Sequence, residues 1–277
     1  EGLLRNDAQG ERSGDSQGRY EDRWIGLKVE FVDTHCHLNF QSYSDDLVEV
    51  IARASQNGVN HIVVPGVDLE SSRLAVDLAD KFPTVFAAVG VHPGDVDGFQ
   101  LHEVKAFEDF LSSNKVVAIG EIGLDYYHRQ DQKELQQEIL KIFLHLAKDS
   151  NKPVILHSRE SLNDLFDILL KHYPTPCQFS AHGVFHAFEG NYEDATKASA
   201  LGFYLGAGGP ITYKNAHIKQ EVESRIQKEI DSGISRRSDI ELDYTTFGEL
   251  SQIISANWIY LEVCLAVKRR LKGLWHR

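Results

Sequence analysis

The stretch from Val116 to His157 reads VVAIGEIGLDYYHRQDQKELQQEILKIFLHLAKDSNKPVILH. Val116 to Ile119 are apolar without interruption, and so are Pro153 to Leu156 near its end. Between them Leu135, Ile139, Ile142, Phe143, Leu146 and Ala147 recur at helical spacing. That spacing predicts a helix over Asp131–Ser150 with one apolar face. Strands that are apolar on both faces need cover on both sides, which parallel strands obtain from the helices joining them. The stretch therefore reads as one strand–helix–strand unit of a parallel sheet.

The same alternation extends in both directions. The predicted strands are Phe31–His35, Val59–Val64, Val85–Val91, Val116–Glu121, Pro153–His157, Phe179–Phe185 and Gly202–Gly206. Ser44 or Asp45 is the expected cap of a helix that stops near Asn57-Gly58. Seven such units before residue 230 favour a TIM-like, distorted β/α barrel over an open sheet, with an incomplete or irregular last strand. Residues 1–29 are rich in Gly, Ser, Asp and Arg and read as a disordered extension. Residues 30–225 read as the barrel, and residues 226–277 as a divergent tail.

The 277 residues include 29 Lys and Arg against 41 Asp and Glu, a formal net charge of −12. A negative field argues against a broad, sequence-independent nucleic-acid surface. A phosphate-bearing substrate would need metal ions or a local basic group to offset that charge. The three cysteines, Cys36, Cys177 and Cys264, are too few and odd in number for a disulfide framework. They point to a reducing, intracellular setting: the cytoplasm, or else the nucleus or an organelle. No run of about 18 apolar residues predicts a membrane span, and no charged-then-apolar order marks a signal peptide. The absence of methionine and the start at Glu1 lead us to expect a processed product, a fragment or a translated reading frame.

Chemistry concentrates where predicted strands end. In Asp33-Thr34-His35-Cys36-His37, residues two apart share a side of an extended chain, so His35 and His37 can aim at one ion while Cys36 points away. The same pair would also suit a surface turn. Glu121, in Gly120-Glu121-Ile122-Gly123-Leu124-Asp125, places a carboxylate at a strand end flanked by glycines, a good position for a bridging ligand. Asp125 reads as a supporting or structural residue. His157 ends the next apolar run, and Arg159 follows it, able to reach a phosphate or to form a surface ion pair. His186 ends a later run, whereas His182 reads as structural. His92, in Gly90-Val91-His92-Pro93-Gly94, could touch substrate or cap its loop. Together these strand ends describe a mixed nitrogen and oxygen site for one or two transition-metal ions.

Taken as a set, these segments resemble the TatD family of metal-dependent deoxyribonucleases, within the amidohydrolase-like barrels. The matching pieces include Phe31–Leu38, Gly90–Gly94, Gly120–Asp125, Pro153–Arg159, His186–Gly190 and Gly202–Gly206. The resemblance implies two divalent ions (magnesium, manganese or zinc) and hydrolysis of DNA phosphodiester bonds from the 3′ end, on single strands or at 3′ ends. We expect a monomer or weak oligomer with no membrane partner. The resemblance also implies that His35, His37, Glu121, His157 and His186 are metal ligands, Glu121 being the catalytic carboxylate, and that His92 and Arg159 lie near substrate. The likeness fades after about Lys219. The family's final Leu-Glu-Thr-Asp-Ser-Pro-like segment, whose aspartate is a ligand and base, has no counterpart in Ile226–Arg277. Asp243 is a poor substitute, because no apolar strand leads into it. A metal-dependent amidohydrolase or lactonase, and an inactive metal-binding homologue, therefore stand beside the deoxyribonuclease reading.

Overall fold

The computed structural model describes residues 31–173 and 182–206. The predicted extension 1–29, the tail 226–277 with Asp243, and the first residues of the predicted strand Phe179–Phe185 lie outside the described residues. Within them run β1 (Phe31–Asp33), β2 (Val59–Pro65), β3 (Val85–Val89), β4 (Val116–Asp125), β5 (Val154–Arg159), β6 (Gly183–Phe185) and β7 (Phe203–Leu205). The intervening helices are α1 (Leu47–Gln56), α2 (Leu69–Lys81), α3 (Val104–Phe110), α4 (Lys133–Asp149), α5 (Leu162–His172) and α6 (Tyr192–Ala200).

All seven strands form one sheet in the order β1 to β7, and every neighbouring pair is parallel. An open, doubly wound sheet reverses its strand order at a switch point. This sheet never reverses, so it is the wall of a β/α barrel. The packing agrees. Ala88, Ala118 and Ile155 form a small cluster of their own, with Val63 and Val184 against it. Those five side chains come one each from β2 to β6 and line the concave face. The larger core, including Val64, Val89, Ile119, Phe107, Phe143 and Phe166, fills the layer between strands and helices.

Three local expectations are corrected. Helix α1 has Asp46 as its first flanking residue, with no side-chain cap, rather than Ser44 or Asp45. Gln41–Tyr43 form a tight turn closed by the Ser44 N–H to the Gln41 carbonyl, so the helix starts later. Helix α4 buries Gln136, Ile139, Leu140, Phe143, Leu144 and Ala147, while Leu135 is exposed. The buried face is rotated because Gln136 is drawn inward, where its amide bonds both the N–H and the carbonyl of Asp125. Strand β1 stops at Asp33 and β3 at Val89, short of His35 and Val91, whereas β4 continues to Asp125. Glu121 therefore sits inside β4 rather than at its end.

Candidate metal centre

Glu121 is aimed by an irregularity in its strand. Ile119 pairs with Val154, but Ile122 already pairs with Leu156, so β4 carries one more residue than β5 across this interval. An extra residue breaks the regular alternation and re-aims a side chain. The Glu121 N–H donates to the carbonyl of Gly66, just beyond β2, at 2.9 Å. Gly120 permits this arrangement, since a Cβ there would press on Ile155 in the concave lining.

The Glu121 carboxylate, only 4% exposed, faces a different histidine group with each oxygen. Oε2 lies 3.2 Å from His35 Nε2 and 3.6 Å from His37 Nε2. Those two nitrogens are 3.1 Å apart. On the other side Oε1 lies 3.1 Å from His157 Nδ1. His186 stacks face to face on His35, with ring centroids 3.5 Å apart, and offers a donor atom to the group of His35 and Glu121 within 4.8 Å. His92 stands edge-on to His157 at 4.4 Å and belongs to the group of Glu121 and His157.

These spacings fit a metal ion. Donors held about 2.0–2.2 Å from one ion, as in zinc sites, lie roughly 3.0–3.5 Å from one another. The triangle of His35 Nε2, His37 Nε2 and Glu121 Oε2 has edges of 3.1, 3.2 and 3.6 Å, the face of such a coordination shell. Imidazole and carboxylate together suit the borderline divalent metals.

The electrostatics differ across the site. Burial pushes the Glu121 carboxyl up, but hydrogen bonds from His157, His35 and His37 outweigh it and hold the group well below the usual carboxylate range. Burial lowers His35, against the opposing pull of Glu121. Burial also pulls His157 down, yet its contacts with Asp125 and Glu121 win and raise it to about 9. His92 is pushed down to about 4 by burial, despite the nearby Glu121.

His92 has a fixed role in hydrogen bonding. The Gly94 N–H donates to its Nδ1 at 3.0 Å. With Nδ1 accepting, the neutral ring carries its proton on Nε2 and presents a donor. Such a ring offers no free lone pair to an ion and suits an oxygen of a substrate better.

The candidate site residues His35, His37, His92, His157 and His186, carried on or just beyond β1, β3, β5 and β6, thus converge on Glu121 within β4, whereas Arg159 occupies the rim. The Arg159 guanidinium pairs with Glu189 and lies over the Tyr127 ring at 5.1 Å. Sequence reading assigned no role to Glu189, which lies inside the quoted segment His186–Gly190, or to Tyr127, which lies just beyond Gly120–Asp125. It also missed Asn39, whose amide bonds the carbonyls of Pro65 and Ser71 at 3.0 and 2.9 Å and so ties the loop of His37 to the β2–α2 turn. Nothing in a Leu-Asn-Phe tripeptide announces that long-range contact.

The family model for "TatD related DNase" matches residues 32–230. The chain belongs to the TatD family. YabD, a metal-dependent hydrolase of Bacillus subtilis, is 37% identical over 194 residues, covering 70% of this chain and 74% of its own. YjjV, a metal-dependent hydrolase of Escherichia coli, is 37% identical over 198 residues, covering 71% and 74%. The crystal structure of YjjV superposes with a TM-score of 0.64 over 71% of this chain and 74% of that one. A TatD-family hydrolase from Entamoeba histolytica gives 0.62 at 25% identity, over 70% and 69%. The fold and the metal-dependent hydrolase family follow from these likenesses. Among the described residues of this TatD chain, no helix is long and apolar enough to cross a membrane.

Proposed function

We propose that this TatD chain is a divalent-metal-dependent deoxyribonuclease that trims DNA from the 3′ end, on single strands or exposed 3′ termini. The observation that carries the reading is Glu121, whose two oxygens face two separate imidazole groups. A carboxylate used in this way would suit a pair of ions. His35 and His37, with His186 beside them, would hold one ion, and His157 the other. When bound, the ions supply an acidified water and positive charge for a phosphodiester.

The chain's own groups account for the rest. His92 directs its Nε2–H toward a phosphate oxygen. Arg159, half exposed above Tyr127, orients the incoming strand. Burial of Glu121 and His35 keeps bulk water away from the donor triangle. A chain with a formal charge of −12 gains its attraction for DNA at this one place rather than over its surface.

The test is release of nucleotides from 3′-labelled single-stranded DNA with Mg²⁺ or Mn²⁺. Wild type should degrade it, and His35→Ala and Glu121→Ala should not. Equal degradation by all three would assign the activity to a contaminant. Turnover of amides or lactones, with DNA untouched, would move the enzyme to another substrate class.

A further inference from the structure

The two nitrogens of His157 have different partners, and the second has no role in the reading above. Nδ1 faces Glu121, while Nε2 lies 3.3 Å from Oδ2 of Asp125. Asp125 is 3% exposed, and it is held on every side. Its Oδ1 accepts the N–H groups of Tyr127 and His128 at 3.0 and 2.8 Å. Its Oδ2 also meets Nδ1 of His128 at 2.8 Å. Its backbone N–H and carbonyl are both bonded by the buried Gln136. Asp125 and Gly123 pair in register with Arg159 and His157 on β5, so the carboxylate and the imidazole leave adjacent strands.

We propose that Asp125 is the positioning residue of the candidate metal centre: its fixed Oδ2 takes the Nε2–H of His157 and leaves Nδ1 as the nitrogen that binds the ion. This rests on the metal reading above, but not on DNA as substrate. A carboxylate behind a ligating histidine sets the ring's orientation and the nitrogen that carries the proton. The contrast with the other ligands is internal to the site. His35 and His37 turn Nε2 toward Glu121, and their Nδ1 atoms are buried without a hydrogen-bond partner among the described residues. His157 uses the opposite nitrogen, and among the described residues Asp125 is the carboxylate that meets its Nε2.

Two measurements test this. In ¹⁵N-histidine NMR of wild type titrated with Zn²⁺, the His157 nitrogen that shifts on coordination should be Nδ1. Coordination through Nε2 overturns the proposal without any variant. The second compares Mn²⁺ affinity by EPR in wild type, Asp125→Asn and Asp125→Glu. In Asp125→Asn the amide oxygen keeps the two backbone N–H groups, so its NH₂ faces His157 Nε2. That drives the ring proton onto Nδ1, where it competes with the ion. Affinity on that side should fall about 10–100-fold. Asp125→Glu should recover part of it, and the metal-free melting temperature should change far less than the affinity. Wild-type affinity in a folded Asp125→Asn chain, or a loss matched by metal-free unfolding and equal at all the bound ions, makes Asp125 merely structural. If wild type takes up no metal at all, the metal reading fails and this inference falls with it. Metal uptake by wild type without DNA cleavage overturns the nuclease proposal alone.

Discussion

The two halves of the site are built on opposite principles. On the β1 side, His35 and His37 have buried Nδ1 atoms with no hydrogen-bond partner among the described residues. Their rings are set by packing: His35 against His186, and His37 against Phe40 at 4.5 Å. Behind them Asn39 ties down the backbone. On the β5 side, His157 is suspended between two carboxylates, and one of them is fixed by a hydrogen-bond network. The first half is shaped by contact and the second by polar bonding. The first should therefore respond to changes in volume, and the second to changes in charge and proton concentration. Glu121 joins the two halves, so its loss should affect both.

The largest expected effect is accordingly at Glu121. Glu121→Gln keeps the shape and removes the charge that both histidine groups face. Metal analysis should show uptake lost on both sides. Hydrolysis should fall about 10³-fold, which corresponds to several kcal/mol of lost transition-state charge stabilisation. Loss of a single ion, with the other retained at wild-type affinity, would show that the halves are separate sites rather than two faces of one carboxylate.

Next comes the backbone that seats the polar half. Gly123 has φ 150°, and a Cβ there would overlap the carbonyl of His157 across the sheet. Gly123→Ala combines backbone strain with overpacking, each typically about 1–3 kcal/mol. We expect a loss of about 2–4 kcal/mol in the metal-free protein, read by thermal or urea melts. A melt within error of wild type would show that β4 and β5 separate easily here, and that the polar half is softer than its network implies.

The sequence announced the polar half unevenly. Apolar runs followed by His or Glu are local patterns, so His35, His37, Glu121, His157 and His186 could be found without coordinates. The barrel was legible for the same reason, because near-continuous apolar strands separated by helices leave few arrangements. Register is not local. The extra residue in β4 that re-aims Glu121, the inward rotation of Gln136, and the reach of Asn39 to Ser71 depend on what lies across a strand or a turn. Asp125 was visible only as a supporting acid, since its value depends on which nitrogen of His157 it meets.

The comparison sharpens with pH. In the metal-free chain His157 has its proton affinity raised to about 9. That proton therefore favours the folded state fully below pH 6.5, and the benefit is lost as pH rises through about 9. An ion bound through His157 must displace it. Affinity on the β5 side should rise about tenfold per pH unit from neutrality and level off near pH 9. On the β1 side burial lowers His35, so no such proton competes. A His157→Ala variant should thus bind its remaining ion with little pH dependence from 7 to 9. Parallel slopes for wild type and variant would mean that both halves titrate together and the asymmetry is lost once metal enters.

The smallest effect concerns the rim, where neither principle dominates. Arg159 and Glu189 are both partly exposed, and ion pairs open to solvent contribute only about 0–1 kcal/mol. If Arg159 serves an incoming phosphate, Arg159→Lys should raise KM for DNA a few-fold with kcat nearly unchanged, because lysine keeps the charge and loses the planar fork. Glu189→Gln should act in the opposite direction. It releases the guanidinium from its carboxylate, so KM should fall at low salt, and the advantage should shrink as salt rises. A purely structural ion pair gives another pattern, in which both variants shift the melting temperature slightly and leave KM alone. Opposite signs for the two substitutions are what only a substrate-facing Arg159 produces, and Glu189 is then the group that holds the arginine over Tyr127 until a phosphate competes for it.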